Sequence, residues 1–245
     1  MKKIIVLFFL ICGFTLFSCK DDDNVMEVRQ LPKSITSVGS NMSFGYNTKN
    51  QLIKVVDKES DTEYSETIFS YGDDGRLMKF VSAFYEPNNA TTETYTVTYI
   101  SDNQLRVKNE ENEYILVNLN EKGQALSFNT LDGVTNFTYD ANGNLVKIVD
   151  DSTTVTASYN KGKGIFNNVA TGNWVLLLSD FDLQYFSVNN PVSITTVDNN
   201  NGTTSTYSRT FTYPEEHIIA GYPTRMSVNH TENGSTSNEV YSITY

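Results

Sequence analysis

The stretch Phe137-Thr138-Tyr139-Asp140-Ala141-Asn142-Gly143-Asn144-Leu145-Val146-Lys147-Ile148-Val149-Asp150 decides the fold. Phe137 and Tyr139 alternate with Thr138 and Asp140, the period of a half-buried strand, and Leu145 to Val149 supply the apolar, β-branched run of a returning one. Asp140 suits the first position of a type I turn. Gly143 can take the left-handed conformation that completes a three-residue hairpin loop with a bulge.

The same arrangement recurs along the chain. Tyr46 is followed by Asn50 and Leu52, Tyr71 by Gly75 and Leu77, Tyr99 by Asn103 and Leu105, and Tyr139 by Gly143 and Leu145. Leu119 with Gly123 and Ala125 forms a fifth copy. Tyr159, with Gly162 and Gly164, forms a weaker sixth. Gly and Asn best tolerate positive φ, so turn chemistry repeats where the hairpin repeats. Such regular spacing signals a repeat architecture.

Phe137 to Leu145 resembles the tyrosine-aspartate (YD) repeat of Rhs-type proteins, and Phe69 to Leu77 is similar with Gly72 in place of the aspartate. Asn47, Ile100 and Asn120 depart at that position, so the repeats are degenerate. Together with its leader, the chain resembles Bacteroides-type surface lipoproteins of unknown function. That resemblance covers roughly residues 44–245 and implies a curved, porin-like β-sheet; it implies no activity.

The expected fold is mainly β: an antiparallel meander of hairpins forming a strongly curved sheet or incomplete barrel, with one short helical insertion. A meander must close, curl or cap its edges to avoid edge-to-edge aggregation. Thr, Ser, Asn and Asp occupy alternate strand positions, which points to a water-facing sheet rather than one that spans lipid. Further strands are expected over 192–197, 207–213, 224–228 and 240–245. Residues 161–190 interrupt the pattern. There, Trp174, Leu177, Leu178, Phe181 and Tyr185 fall on one helical stripe about three turns long, with residues 171–173 as capping candidates. This segment is the expected plug.

At the N-terminus, Lys2 and Lys3 precede an apolar run ending in Leu16-Phe17-Ser18-Cys19. Residues 1–18 read as a secretory signal, and the ending resembles a bacterial lipobox that would place lipid on Cys19. Lys20-Asp21-Asp22-Asp23 looks like an acidic export tag, so the expected location is the outer membrane, lipid-anchored and facing outward; a plain solvated linker is the competing reading. Residues 19–34 read as anchor and flexible tether, and 35–245 as one β-repeat domain. Cys12 would leave with the leader, so the domain is expected to hold no disulfide and no thiol nucleophile.

A formal net charge of -11 opposes nucleic-acid partners, which require a basic face. Only two histidines, His217 and His230, are present, too few for a zinc site, and no cofactor or metal is expected. Asp140, Asn142 and Asn144 mimic part of a calcium loop but lack its terminal Glu. Carboxylate pairs such as Asp180 with Asp182, or Glu215 with Glu216, keep glycan hydrolysis as a remote third reading. The leading expectation is a non-enzymatic envelope protein that binds an extracellular glycan or small amphiphile, or a surface protein. Its alternative is an assembly partner of an outer-membrane complex. The named binding candidates are Trp174, Phe181 and Tyr185, the aromatics that interrupt the repeat; packing in the core is their default.

Overall fold

The computed structural model describes residues 30–179, 182–185, 187–200 and 203–245. Its strands, in chain order, are β1 (Ser34–Ser37), β2 (Ser40–Tyr46), β3 (Leu52–Lys58), β4 (Tyr64–Tyr71), β5 (Leu77–Glu86), β6 (Asn89–Ser101), β7 (Gln104–Lys108), β8 (Tyr114–Leu119) and β9 (Ala125–Asn129). There follow β10 (Val134–Tyr139), β11 (Leu145–Val149), β12 (Thr153–Lys163), helix α1 (Asn173–Leu178), β13 (Asn189–Asn200), β14 (Thr203–Thr212), the short pair β15 (Ile218–Ile219) and β16 (Tyr222–Pro223), β17 (Arg225–Glu232) and β18 (Ser235–Thr244). Among the described residues, all strands but β15 and β16 join one antiparallel meander that closes as a barrel.

The curved meander expected from the sequence closes on itself. β1 lies between β2 and β18, pairing Ile35 with Met42 on one side and with Ile243 on the other. Closure satisfies the backbone groups that an open meander would expose. The final strand is the seam, tied to the first across almost the whole sequence.

The hairpin loops are alike because their turn residues are. Gly143 N–H donates to Asp140 O and Asp140 N–H to Asn144 O, and Gly75 with Gly72 and Gly123 with Asn120 repeat the first of these bonds. Gly75, Gly123 and Gly143 have φ of +82°, +74° and +92°, and Asn50 takes the same role at +60°. A register shift accompanies each, at Tyr46, Tyr71, Leu119 and Tyr139, which is the bulge that the loop length demands. Asn103 differs: it has no positive φ, and Ser101 pairs with Gln104 across a two-residue turn. The sixth copy also departs. Tyr159 is followed by no turn; β12 runs on to Lys163 before the chain leaves the wall.

Alternation sorts the side chains. Leu52, Leu77, Phe80, Val97, Leu105, Val117, Phe137 and Ile194 are buried in one cluster, while Thr96, Thr98, Thr210, Thr212 and Ser242 are exposed. Lys54 and Glu66 pair at 2.7 Å on the outer wall. A lipid-spanning barrel carries a continuous apolar band outside; here exposed Ile68 and Ile100 are interspersed with polar residues.

The segment between β12 and β13 enters the barrel as a plug. Ile165, Phe166, Trp174, Val175, Leu176, Leu183 and Tyr185 join the same apolar cluster. The expected three-turn helix is shorter: α1 spans Asn173–Leu178, and Leu183 to Tyr185 form a separate turn. Its expected capping residues are also employed otherwise. The N-cap position is Gly172, with no side-chain cap, and the flanking Thr171 and Asn173 bond to the barrel wall instead, as described next. A helix of under two turns gains little from a cap, whereas a strand N–H stranded inside the barrel must find a partner.

Candidate functional site

Five tyrosines of the repeat, joined by Tyr213 and Tyr245, organise one end of the lumen. Tyr71 hydroxyl donates to Leu52 O at 2.9 Å and Tyr159 hydroxyl to Leu145 O at 2.6 Å; the Tyr99 phenol oxygen is bonded by the Leu77 backbone, a contact that favours its ionised form. In each case a tyrosine reaches the leucine of the preceding copy. Burial pushes the phenols of Tyr139 and Tyr159 up to about 12 and raises those of Tyr46, Tyr71, Tyr99, Tyr213 and Tyr245.

The plug is pinned where the bulges free strand amides. Leu52 N–H donates to Thr171 Oγ1 at 2.8 Å, and the same oxygen lies 3.1 Å from the Tyr71 hydroxyl. Asn173 Nδ2 donates to the Tyr139 hydroxyl at 2.7 Å while its Oδ1 accepts from Ala125 N–H. Asn144, almost fully buried, accepts from Asn189 N–H at 2.8 Å. Its other contact is Asp140, whose carboxyl burial would raise but which bonds from Asn144 and the loop amides hold below the usual range. The chain entering the barrel sits at this same end: Tyr46 hydroxyl donates to Pro32 O, and Asn168 Nδ2 to Gln30 O.

Toward the other end the lumen opens into a vestibule of about 440 Å³. Its walls come from β2 to β6 and from β18, and include Asp57, Phe80, Ser82, Phe84, Glu93, Tyr95 and Tyr241. Its floor is the plug, through Leu178, Ser179, Asp182, Gln184 and Tyr185. Phe80 and Tyr95 stack, centroids 4.6 Å apart and planes 12° apart. Tyr185 meets Tyr241 edge to face at 6.3 Å.

Arg209 of β14 holds the floor. Its guanidinium, with 13% of the side chain exposed, pairs with Asp182 and reaches Gln184. Beyond it, Tyr207 bonds His230 Nδ1, and Tyr241 hydroxyl donates to Glu239 at 2.6 Å. Tyr95 likewise bonds Glu93, two residues before it. The wall thus carries two Glu-x-Tyr pairs, Glu93-Thr94-Tyr95 and Glu239-Val240-Tyr241. A second cavity of about 270 Å³ adjoins at Tyr95 and includes Glu113, Tyr114, Ile115, Leu131 and Asp132.

Of the residues singled out from sequence, Trp174 and Tyr185 are 5% and 4% exposed in the core cluster, and Tyr185 also floors the vestibule. Phe181 and Asp180 lie outside the described residues, as does Cys19. Phe84, Tyr95, Tyr241 and Asp57 were missed. Strand alternation marks each as inward-facing, yet only knowledge of where the plug stops separates lining from packing. Among the described residues no three His, Cys, Asp or Glu side chains stand close enough to hold a metal ion.

No protein-family model matches the chain, and no curated protein does. Among solved structures it is similar to a porin-like protein from Bacteroides uniformis, at 13% identity and a TM-score of 0.39, over 86% of this chain and 95% of that one. A porin-like protein from Bacteroides vulgatus is similar at 12% identity and a TM-score of 0.41, over 89% and 99% of the two chains. Likeness at this level carries no functional information.

Proposed function

We propose that this is a lipid-anchored, non-catalytic protein of the outer membrane that takes up a small extracellular ligand, a glycan fragment or a small amphiphile, in the vestibule of its barrel. The observation that carries the reading is the cavity: it is open at one end, floored by a pinned plug, and walled by aromatic rings among carboxylates and hydroxyls. Ligand sites are typically concave and largely preformed, with a few polar groups set in apolar walls. A floor fixed by Arg209, Asp182 and Gln184 lets a ligand bind without first ordering the site.

The position of the tether fits this role. Gln30 and Pro32 lie at the plugged end, so a tether from Cys19 would reach the barrel at the end opposite the vestibule. Ligand then arrives from the aqueous side. Trp174 serves as packing within the plug, and the contacts with ligand fall to Phe84, Tyr95, Tyr185 and Tyr241.

Thermal unfolding of the chain lacking residues 1–19, screened against neutral glycans and amphiphiles, tests the reading. A ligand at about a hundred times its dissociation constant adds about 2.7 kcal/mol of stability if it binds only the folded form. The expected result is an upward shift that Phe84→Ala removes, because Phe84 is 52% exposed and dispensable to the core. A shift that persists in Phe84→Ala places the ligand elsewhere. The absence of any shift transfers the role to a protein partner, sought by crosslinking on intact cells.

A further inference from the structure

We infer that the vestibule selects organic cations, an amine or quaternary ammonium group on an apolar body, held between the Asp57 and Glu93 carboxylates and the rings of Phe84 and Tyr95. The inference rests on the ligand-binding reading and specifies the head group of the amphiphile.

Charge comes first. Among the described residues, the vestibule is lined by Asp57, Glu93 and Asp182 and by no lysine, arginine or histidine. Asp182 is neutralised by Arg209. Asp57 accepts only from the Ser40 hydroxyl, at 3.0 Å, and Glu93 from the Tyr95 hydroxyl; among the described residues neither has a cationic partner. The adjoining cavity adds Glu113 and Asp132, again with no basic residue in its lining. Asp57 is half-buried and Glu93, Glu113 and Asp132 are exposed along the rim, so the concave mouth carries negative potential. An anionic amphiphile such as a fatty acid or bile acid is repelled there.

Shape and surface choose among cations. The carboxylates are spread around the wall rather than gathered into a metal-binding group, and about 440 Å³ far exceeds the volume of a bare ion. Aromatic faces attract ammonium groups through the ring quadrupole, and more strongly when the cation has shed water. Phe84, at the mouth on β5, supplies such a face between the two carboxylates' strands, and Tyr95, beside Glu93 on β6 and stacked on Phe80, borders it. An alkylated ammonium loses little hydration on entering such a site, whereas a small hard ion would lose a great deal.

The test is calorimetric titration of the intact protein in neutral detergent with three probes of one size: benzyltrimethylammonium, benzyl alcohol and benzenesulfonate. Benzyltrimethylammonium should bind at least about tenfold more tightly than the other two. That preference should disappear in Asp57→Asn/Glu93→Gln and weaken in Phe84→Ala, while Asp73→Asn/Asp102→Asn, at the opposite end of the barrel, leaves it intact. It should also fall at about 1 M salt, where the screening length is about 3 Å. A variant that melts well below the parent is replaced by Glu93→Gln alone, which changes no buried group. Equal or tighter binding of the neutral or anionic probe overturns the cation assignment and leaves the vestibule as a binding site. Binding by none of the three also overturns it, and the glycan screen then decides the broader reading independently.

Discussion

At the residue scale, Gly164 and Thr171 carry the junction between wall and plug. A Cβ built on Gly164 would stand 1.9 Å from Ser187 O, a distance that only backbone movement can relieve. Gly164→Ala is therefore expected to lower stability by several kcal/mol, on the order of ~3 or more, as overpacking against backbone does, read as the urea midpoint of unfolding; an unchanged midpoint would refute the junction. Thr171→Val keeps the volume but removes the acceptor for Leu52 N–H and the contact with Tyr71. Leaving a buried N–H unsatisfied costs about 1–3 kcal/mol, so the variant should melt earlier while Thr171→Ser does not. Neither role was legible in the sequence. Thr171 reads as a helix cap from its neighbours alone, because nothing local reveals that a bulge 119 residues away frees an amide beside it. Gly164 reads as the glycine of a sixth hairpin for the same reason.

At the element scale, the hairpins were the legible part. Tyr139, Gly143 and Leu145 state strand, left-handed turn and returning strand within seven residues, and local chemistry suffices to fix them. The plug helix was half legible: the stripe from Trp174 to Leu178 is helical, but extending it to Tyr185 rested on amphipathic periodicity alone. Inside a barrel the segment is apolar nearly all round, and periodicity loses its meaning. The tyrosine layer binding hairpin to hairpin has a measurable consequence. With Tyr139 and Tyr159 raised from 10.0 to about 12, the unfolded chain releases phenolic protons that the folded one retains. Their contribution to stability is whole below pH 10 and is lost as the pH rises through about 12. The melting temperature should stay level up to about pH 9.5 and then fall steeply, with the buried layer's share of the tyrosinate absorbance rising only as the barrel unfolds. Absorbance that rises to completion while the fold persists would contradict the buried layer.

At the scale of the molecule, the sequence indicated a curved meander and left its closure open, since no local pattern shows that β1 meets β18. The pairing of Ser34 with Thr244 and of Thr36 with Ser242 does so across the whole chain. Ile35, 1% exposed, seats the seam; Ile35→Lys buries an unpaired charge there and should open the barrel at β1, seen as rapid proteolysis near the N-terminus. The vestibule itself belongs to this scale, because its walls come from β2 to β6 and β18 and its floor from the insertion. The most direct test of an open, acid-walled lumen uses Ser82→Cys, on the vestibule wall, in a chain whose only native cysteines are Cys12 and Cys19. Thiol modification should proceed readily and faster with a trimethylammonium-bearing methanethiosulfonate than with its sulfonate counterpart, whereas Thr96→Cys on the outer wall should show a weaker preference. A Ser82→Cys thiol that reacts with neither reagent until the protein unfolds would mean that the lumen is filled, and would contradict the account.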